Sequence, residues 1–340
     1  MGKGSRFMTG SFYASIYARS PANGNRILLD TPGGRTITWT MAAEWSARYA
    51  DSLYRLGLQK GDRIAVRVQK SPELLLLHLA CLRAGVVFIP INPDHEGQTL
   101  DHILHDAKLQ ILIVEPEREE HCHALAQRFG IHHVLTLGTH HNGTFAIHGS
   151  KGSDQFPIVE CHPDDPAVIL YSPDPKGRQS SSLLSHGNLL SVAQNLIQAW
   201  HITDQDIVLH TVPMFQTYGL SIGSHCALLA GASMIWLPSF NVDTVLASLP
   251  RCTIFTGTPS SYEQLLQKPG LGRVSTQNIR LFLSDTAPLP DRMFHDFETR
   301  TGHRILECSG ITDSTHVTTA ENANRHETKT PHDNRLVPNP

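Results

Sequence analysis

The chain has 340 residues, of which 40% are hydrophobic and 17% are charged, and its formal net charge is −3 at pH 7. These values are typical of a soluble globular protein with a large core, and they exclude a basic field for nucleic acid or an anionic membrane. No apolar run approaches the length of a membrane span. The six cysteines are scattered without a Cys-x-x-Cys pair, which predicts reduced, mostly buried thiols and a cytoplasmic protein.

The first part of the chain alternates predicted strands and helices. Residues 27–29 and 36–39 flank a Thr-Pro-Gly-Gly turn and predict a hairpin. Thr40 is expected to cap the next helix, and Ser71-Pro72-Glu73 is a strong start signal for another. Strand, helix and strand in series predict an α/β fold with mostly parallel sheets and helices on their faces.

The division of the chain follows from changes in its composition. Residues 138–154 are rich in Gly, Ser and His and predict a linker between two subdomains. We therefore expect a first α/β subdomain over residues 1–150 and a second over residues 151–320. Residues 321–340 lose the hydrophobic period and end in polar residues and prolines, which predicts a disordered tail.

Histidine is unusually frequent, with 21 residues, several of them close together in the sequence. No set of carboxylates or cysteines completes a defined ligand geometry around them, so an exposed polar face is favoured over a metal site. The close pairs are His121 with His123, His132 with His133, and His140 with His141.

Residues 167–190 combine an apolar strand, a polar loop and a helix, which is the order of elements in a phosphate cradle. Such a loop binds oxyanions through backbone N–H groups and hydroxyls, and glycine supplies the dihedral angles. Pro173 and Pro175 have no N–H group to donate, and the carboxylate of Asp174 would repel a phosphate. An ordinary surface loop is therefore the alternative interpretation.

The flanks of this loop resemble the ATP-loop of acyl-adenylate-forming enzymes, which are the acyl-CoA synthetases and their relatives. Tyr171-Ser172 stands at one end and Leu-Ser-His-Gly-Asn-Leu, residues 184–189, at the other. The family loop reads approximately T-S-G-T-T-G-x-P-K-G, and Ser180 occupies its lysine position here. The resemblance implies nucleotide binding by Ser172, Lys176, Gly177 and Arg178.

Two later segments also resemble motifs of this family. Residues 213–220 resemble P-x-F-H-x-x-G-L, in which the histidine is associated with the acyl pocket. Gln216 replaces it and cannot become cationic, and Tyr218 is expected in the pocket wall. Residues 284–289 resemble the turn that lines the adenine and acyl pockets, with Ser284 and Ala287 as the implied nucleotide contacts.

Residues 309–313 resemble the family motif Y-G-x-T-E. The resemblance implies that Gly310 contacts the nucleotide, that Thr312 lies near the phosphates and that Asp313 binds Mg²⁺ through its oxygens. Thr312 and Asp313 are therefore the implied catalytic residues. Ser309 replaces the aromatic residue that would lie under adenine.

From residue 233 onward the order and spacing of the motifs are most similar to those of malonyl-CoA synthetases. The segments that carry this likeness are MIWLPSFNVDTVLASL, GTPSSYEQLL and IRLFLSDTAPLP. Malonate-using relatives carry an arginine suited to the distal carboxylate, and Arg280 occupies that position. The alternative for Arg280 is a surface arginine at a strand edge.

The resemblance covers about residues 12–319 and implies the N-terminal domain of the adenylate-forming fold without its C-terminal lid, which carries the catalytic lysine. Because several motifs are altered, we expect an AMP-dependent synthetase/ligase-like protein that is catalytically impaired or a pseudoenzyme. One alternative is active ATP-dependent adenylation of malonate or another small acid, with a protein partner supplying a C-terminal domain; ATP, Mg²⁺ and CoA would then be needed. The other is a non-catalytic module that binds a nucleotide or a CoA thioester.

Overall fold

The computed structural model of the protein describes residues 10–173, 179–284, 289–309 and 318–320. Two sheets organise this part of the chain, one with eight strands and one with six. The helices are α1 (Phe12–Arg19), α2 (Trp39–Arg55), α3 (Pro72–Ala84), α4 (Gly97–Ala107), α5 (Glu119–Phe129), α6 (Thr144–Ser150), α7 (His186–Trp200), α8 (Cys226–Ala230), α9 (Val242–Ser248), α10 (Pro259–Leu266) and α11 (Asp291–Thr301). A π-helix, Tyr218–His225, leads into α8.

The six-stranded sheet has the order β6-β5-β3-β4-β7-β8, and the eight-stranded sheet has the order β14-β13-β12-β11-β9-β10-β1-β2. Their bounds are β1 (Ile27–Asp30), β2 (Thr36–Thr38), β3 (Arg63–Arg67), β4 (Val87–Pro90), β5 (Ile111–Val114), β6 (His133–Thr136), β7 (Pro166–Pro173), β8 (Gln179–Ser185), β9 (Ile207–His210), β10 (Ser233–Trp236), β11 (Ile254–Gly257), β12 (Leu281–Ser284), β13 (Ile305–Ser309) and β14 (Thr318–Ala320). The strand pairs are parallel except β1 with β2, β7 with β8 and β13 with β14. The predicted layered, mostly parallel α/β fold is confirmed.

Helix α3 lies in the core that the two sheets share. Ser71 caps it by accepting the Leu74 N–H at 3.2 Å, Pro72 begins it, and Gly85 ends it with φ at 68°. The start signal in the sequence was therefore sufficient to place this helix. Its leucine run has no polar stripe because the helix is buried on nearly every side against residues of both sheets.

Three local predictions need correction. Thr38 rather than Thr40 caps α2, since its hydroxyl accepts the Met41 N–H at 3.2 Å. The segment predicted as a linker contains α6, whose Phe145 ring packs 5.1 Å from the Tyr49 ring. Ser180, which was expected in a loop, lies in β8 and pairs with Ser172 of β7.

The two sheets do not divide the chain at residue 150. Strands β7 and β8 complete the six-stranded sheet begun by β3 to β6, whereas the early strands β1 and β2 join the eight-stranded sheet. Each sheet therefore takes strands from both sides of the predicted boundary. Residues 321–340, the predicted tail, lie outside the described residues.

Candidate functional site

A cavity of about 450 Å³ lies where the carboxyl ends of strands from both sheets come together. Its lining comes from the ends of β3 and β4 and from the segments that follow β3, β4, β9, β10 and β11. In open α/β sheets, ligands bind at this edge because the loops after parallel strands bring their side chains to it. The position of the cavity therefore makes it the candidate functional site.

The loop after β9 forms one wall of the cavity. The Thr211 hydroxyl donates a hydrogen bond of 2.9 Å to the carbonyl oxygen of Thr256, which ties this loop to β11. Phe215 lines the cavity, and Gln216, directly after it, is exposed. The Gln216 side chain thus stands beside the cavity as a polar group without charge.

A second wall is the amino-terminal end of α10. The Thr258 hydroxyl accepts the Ser261 N–H at 3.4 Å, and the Thr258 N–H donates to the Ser261 hydroxyl at 3.2 Å. This reciprocal cap holds Thr258 and Ser260 where both residues line the cavity. The cavity wall therefore offers hydroxyls beside the positive end of a helix dipole.

Lys70 lines the cavity although only 6% of the residue is exposed. Its ammonium nitrogen donates to the carbonyl oxygen of His210 and to Nδ1 of the same residue, both at 2.8 Å. It also lies 4.5 Å from the centre of the Trp236 ring. Burial lowers the pKa of Lys70 well below its ordinary value, because the charged form is poorly solvated there.

His210 connects Lys70 to the π-helix. Its Nε2 lies 2.9 Å from the carbonyl oxygen of Gly219 and 3.0 Å from the Ser224 hydroxyl. A carbonyl oxygen can only accept, so Nε2 carries the proton and Nδ1 accepts from Lys70. Burial, and then the neighbouring Lys70, lower the pKa of His210 well below its ordinary value, which keeps the ring neutral.

The structure brings some predicted site residues to the same edge as the cavity. Ser172 is exposed near the end of β7, which neighbours β4, and Ser284 is buried at the end of β12, which neighbours β11. The hydroxyl of Ser284 has no hydrogen-bond partner among the described residues. Tyr218 is buried at the start of the π-helix. Ser172, Ser284 and Gln216 therefore share the carboxyl edge of the sheets.

Arg280 lies at the opposite, amino-terminal edge. It precedes β12, whose far end is about 13 Å away at Ser284 for strand geometry. Its Nε and Nη2 atoms bind the two carboxylate oxygens of Asp206 at 2.9 and 2.7 Å, and it also donates to the carbonyl oxygens of Trp200 and His201. Since four of its five N–H groups are hydrogen-bonded and Asp206 compensates its charge, Arg280 joins structural elements, and it does not line the cavity.

The remaining predicted site residues lie outside the described residues, so their prediction rests on the sequence alone. They are Lys176, Gly177, Arg178, Ala287, Gly310, Thr312 and Asp313.

Sequence reasoning missed Lys70 and His210. Lys70 stands between an apolar strand and a helix cap, where a lysine is ordinarily exposed. His210 is the last residue of a strand, and no neighbouring residue in the sequence indicates that it belongs to a functional site. The one available signal was a lysine that follows a buried strand with no acidic residue beside it in the sequence. This signal indicates a buried lysine only once the structure shows that the two sheets meet there.

Cysteines and histidines give no second site in the part of the chain that the structure describes. All six cysteines are buried and none of these described residues forms a disulfide, as predicted. Within the described ranges, no group of three or more His, Cys, Asp or Glu residues is placed to hold a metal ion. Among those same residues, no helix has the length and apolar character needed to cross a membrane.

Comparisons with known proteins agree with this architecture. A family model described as "AMP-binding enzyme" matches residues 17–339. The mitochondrial malonate–CoA ligase of Mus musculus is 28% identical over 322 residues, which is 88% of this chain and 54% of that protein. The malonate–CoA ligase of Arabidopsis thaliana is 26% identical over 278 residues, which is 76% of this chain and 46% of that protein.

A solved structure gives the same result. The crystal structure of ATP-bound MatB from Rhodopseudomonas palustris superposes with a TM-score of 0.88 at 32% identity, covering 93% of this chain and 63% of that one. The chain thus spans about half the length of the curated relatives it matches.

Proposed function

The chain belongs to the AMP-binding enzyme family, and from this premise we propose that it binds a small carboxylic acid, malonate above others, in the cavity between the two sheets. The observation that carries the proposal is the cavity itself, about 450 Å³ in volume and lined by hydroxyls and a buried lysine. That volume is in the range of small-molecule sites and exceeds what malonate needs. The names of its relatives, which include malonate–CoA ligases, favour malonate among small acids.

The reaction proposed for this site is adenylation of the acid. A carboxylate oxygen would form a bond to the α-phosphorus of ATP, and the bond from that phosphorus to pyrophosphate would break. Ser172 and Ser284 are the described residues proposed for the nucleotide, and the unpaired hydroxyl of Ser284 supports a polar ligand group beside β12. Lys176, Gly177, Arg178, Ala287, Gly310 and Thr312 remain proposed nucleotide and catalytic contacts from the sequence.

Mg²⁺ and CoA are part of the same proposal. Asp313 has the oxygen ligands that Mg²⁺ prefers, and the ion would neutralise phosphate charge when bound. No described residue is assigned to the metal. CoA would take the acyl group from the adenylate, a step that we propose depends on a further domain, either in the same chain or from a partner.

We propose that the adenylation step is weak in this chain. Pro173 ends β7 and cannot donate an N–H to a phosphate, and Asp174 and Pro175 follow it in the sequence. Pro173 and Pro175 each remove one hydrogen bond to a charged group, at about 1.5–3 kcal/mol apiece, so together they weaken ATP binding by about two to four powers of ten. Gln216 also withholds the positive charge that a histidine could bring to the acid.

ATP–pyrophosphate exchange tests this function, because it reports adenylation alone and needs no CoA. The purified chain is assayed with malonate and with a panel of other small acids, against a control without acid. We expect slow or absent exchange, together with measurable malonate binding in calorimetry. Rapid exchange would overturn the proposed impairment, and failure to bind any small acid would overturn the proposed site.

The same assay separates the second candidate function. If MgATP binds without exchange, and exchange appears when a C-terminal domain of a malonate–CoA ligase is added, the chain acts as an enzyme completed by a partner. The match covers only about half the length of these relatives, which favours testing an enzyme completed by a partner.

A further inference from the structure

Among the described residues that line the cavity, Lys70 is the buried basic group, and it has no acidic partner within that set. Lys70 is 6% exposed, and its hydrogen bonds run to His210 alone among the described residues. The other ionisable residue of the described lining is Asp94, which is exposed on the segment after β4. An ammonium group taken out of water without a counter-charge is costly, so the site is electrostatically incomplete without an anion.

In its protonated form Lys70 has three N–H groups, and the described residues supply acceptors for two of them. Two N–H groups of the ammonium are directed to Nδ1 and to the carbonyl oxygen of His210, each at 2.8 Å. His210 is fixed in turn by its Nε2–H bond of 2.9 Å to Gly219. The amine is therefore held in place before any ligand arrives, with its third N–H unassigned.

Arg280 cannot take this role, since Asp206 occupies its guanidinium at the opposite edge of the sheet. Ser172 and Ser284, the described residues proposed for the nucleotide, do not line the cavity. In an acid with two carboxylates, the one that contacts Lys70 therefore lies further from the nucleotide. The other carboxylate, which reacts, points towards the ends of β7 and β12.

We propose that Lys70, positioned by His210, binds the non-reacting carboxylate of a short dicarboxylic acid and selects dicarboxylic over monocarboxylic acids. The inference rests on the proposed function for the identity of the acid. Ser239, which also lines the cavity, supplies a hydroxyl for a carboxylate oxygen that Lys70 does not reach. Dicarboxylic acids are favoured because only they compensate the buried charge while keeping a second carboxylate for reaction.

Binding of such an acid is linked to a proton. A carboxylate beside Lys70 favours its charged form, so the ligand raises a pKa that burial has lowered. Above the pKa of free Lys70, binding takes up as much as one proton, and affinity falls as pH rises. The other ionisable groups near Lys70 are His210, whose ring burial keeps neutral, and Asp94 of the cavity lining.

Calorimetry with malonate and with propionate, a monocarboxylic acid of similar size, tests this inference without any nucleotide. Titrations of the full chain and of Lys70→Met in two buffers of different ionisation enthalpy give both affinity and proton uptake. We expect Lys70→Met to lose about 10- to 100-fold in malonate affinity and to lose the proton uptake, with propionate affinity changed by less than about threefold. Lys268→Met, which removes a surface lysine paired with Asp243, is the matched control.

Unchanged malonate affinity and proton uptake in Lys70→Met would overturn the inference. Retained propionate binding shows that Lys70→Met is folded. If Lys70→Met does not fold, Lys70→Arg replaces it in the test, and because this variant restores a cation, it is expected to keep part of the preference for malonate. A wild-type chain that binds no malonate also overturns the inference. The exchange assay then decides independently whether the proposed function fails as well, because it is measured with ATP and with other acids.

Discussion

Three buried histidines lie together where α1, α3, α7 and the π-helix meet. Nε2 of His78 is 2.9 Å from Nε2 of His225, and the Nδ1 atom of His186 accepts the Phe12 N–H at 3.3 Å. Burial lowers the pKa of all three, to about 3 for His225 and about 4 for His186. One of the two facing Nε2 atoms must donate and the other accept, so a proton added to the acceptor breaks the bond.

The stability of the protein should therefore fall in mild acid. In the unfolded chain the three histidines become protonated near pH 6.5, whereas in the folded chain they stay neutral until the pH reaches their lowered pKa values. The stabilisation is complete above about pH 6.5 and is lost as pH falls towards 4, at about 1.4 kcal/mol per pH unit for each neutral histidine. Urea unfolding between pH 5 and 8 measures this slope.

Replacement of a buried histidine provides the check. His225→Leu should reduce the pH slope by about one proton, whereas His123→Gln, at an exposed position, should leave it unchanged. Equal slopes in His225→Leu and the parent chain would contradict the assignment.

At this scale the sequence identifies residue types better than their surroundings. Arg280 and Lys70 are both basic residues next to strands, and the sequence assigned the acid to Arg280. In the described part of the chain, Arg280 has a carboxylate partner, Asp206, whereas Lys70 has none. That difference depends on Asp206 and His210, which are remote from Arg280 and Lys70 in the chain, so no local pattern could reveal it.

The hairpin β7–β8 carries the segment that the sequence predicts to be either a phosphate-binding loop or an ordinary surface loop. Its strands pair from Pro166 with Ser185 to Pro173 with Gln179, so the last pair leaves residues 174–178 of the sequence between the two strands. Strand pairing of this extent positions the ends of the loop independently of its sequence. The composition of the loop can therefore be changed without disturbing the sheet.

Replacing residues 173–176 together with the family pattern should raise ATP affinity by about 100-fold, because N–H donors and glycine dihedral freedom return and Asp174 is removed. Calorimetry with MgATP measures the change. A Ser181→Ala variant, in β8 outside the loop, is the control and should bind as the parent does. If the variant with the replaced residues binds ATP no more tightly than the parent chain, this segment is not what limits nucleotide binding.

The π-helix is the element that sequence periodicity could not predict. Its i to i+5 hydrogen bonds depend on close contacts at two glycines, and helical periodicity in the sequence does not distinguish it from an α-helix. A Cβ atom at Gly219 would lie 2.1 Å from the carbonyl oxygen of Pro213, and one at Gly223 would lie 2.5 Å from Nε2 of His210. The two glycines thus let the helix approach the loop after β9 and the ring that supports Lys70.

Gly223→Ala should displace His210 and with it Lys70. We expect a loss of about 1–3 kcal/mol in the free energy of unfolding from overpacking, together with weaker malonate binding. Gly272→Ala is the control, since its Cβ would meet no atom closer than 3.9 Å. Urea unfolding and calorimetry on both variants measure the two effects, and a fully stable Gly223→Ala would show that the contact can relax.

In the whole molecule, the cavity is shared between two sheets. β3 and β4 belong to one sheet and β9, β10 and β11 to the other, and the segments that follow all five strands contribute to its walls. The alternation of strands and helices in the sequence predicted the α/β class and most element types. It could not predict which strands pair, because β1 joins β10 through contacts between distant parts of the chain.

A ligand in this cavity should stabilise both sheets together. We expect malonate at 100 times its dissociation constant to add about 2.7 kcal/mol to the free energy of unfolding. Hydrogen exchange should then slow in β3 and β4 and equally in β9 to β11, because opening either sheet releases the ligand. Protection confined to one sheet would place the acid elsewhere.

The parallel pairing of β1 with β10 also constrains how the chain is made. Leu29 pairs with Met234, so the β1–β2 hairpin leaves the ribosome roughly 200 residues before the strand it docks on. At ~5–20 residues per second, that delay is ~10–40 s. During it, one edge of the hairpin has no neighbour to cover its backbone groups, and an isolated two-stranded hairpin is marginally stable in water. The β1–β2 hairpin of the nascent chain therefore offers chaperones an early binding segment, and the eight-stranded sheet cannot close before β10 has been made.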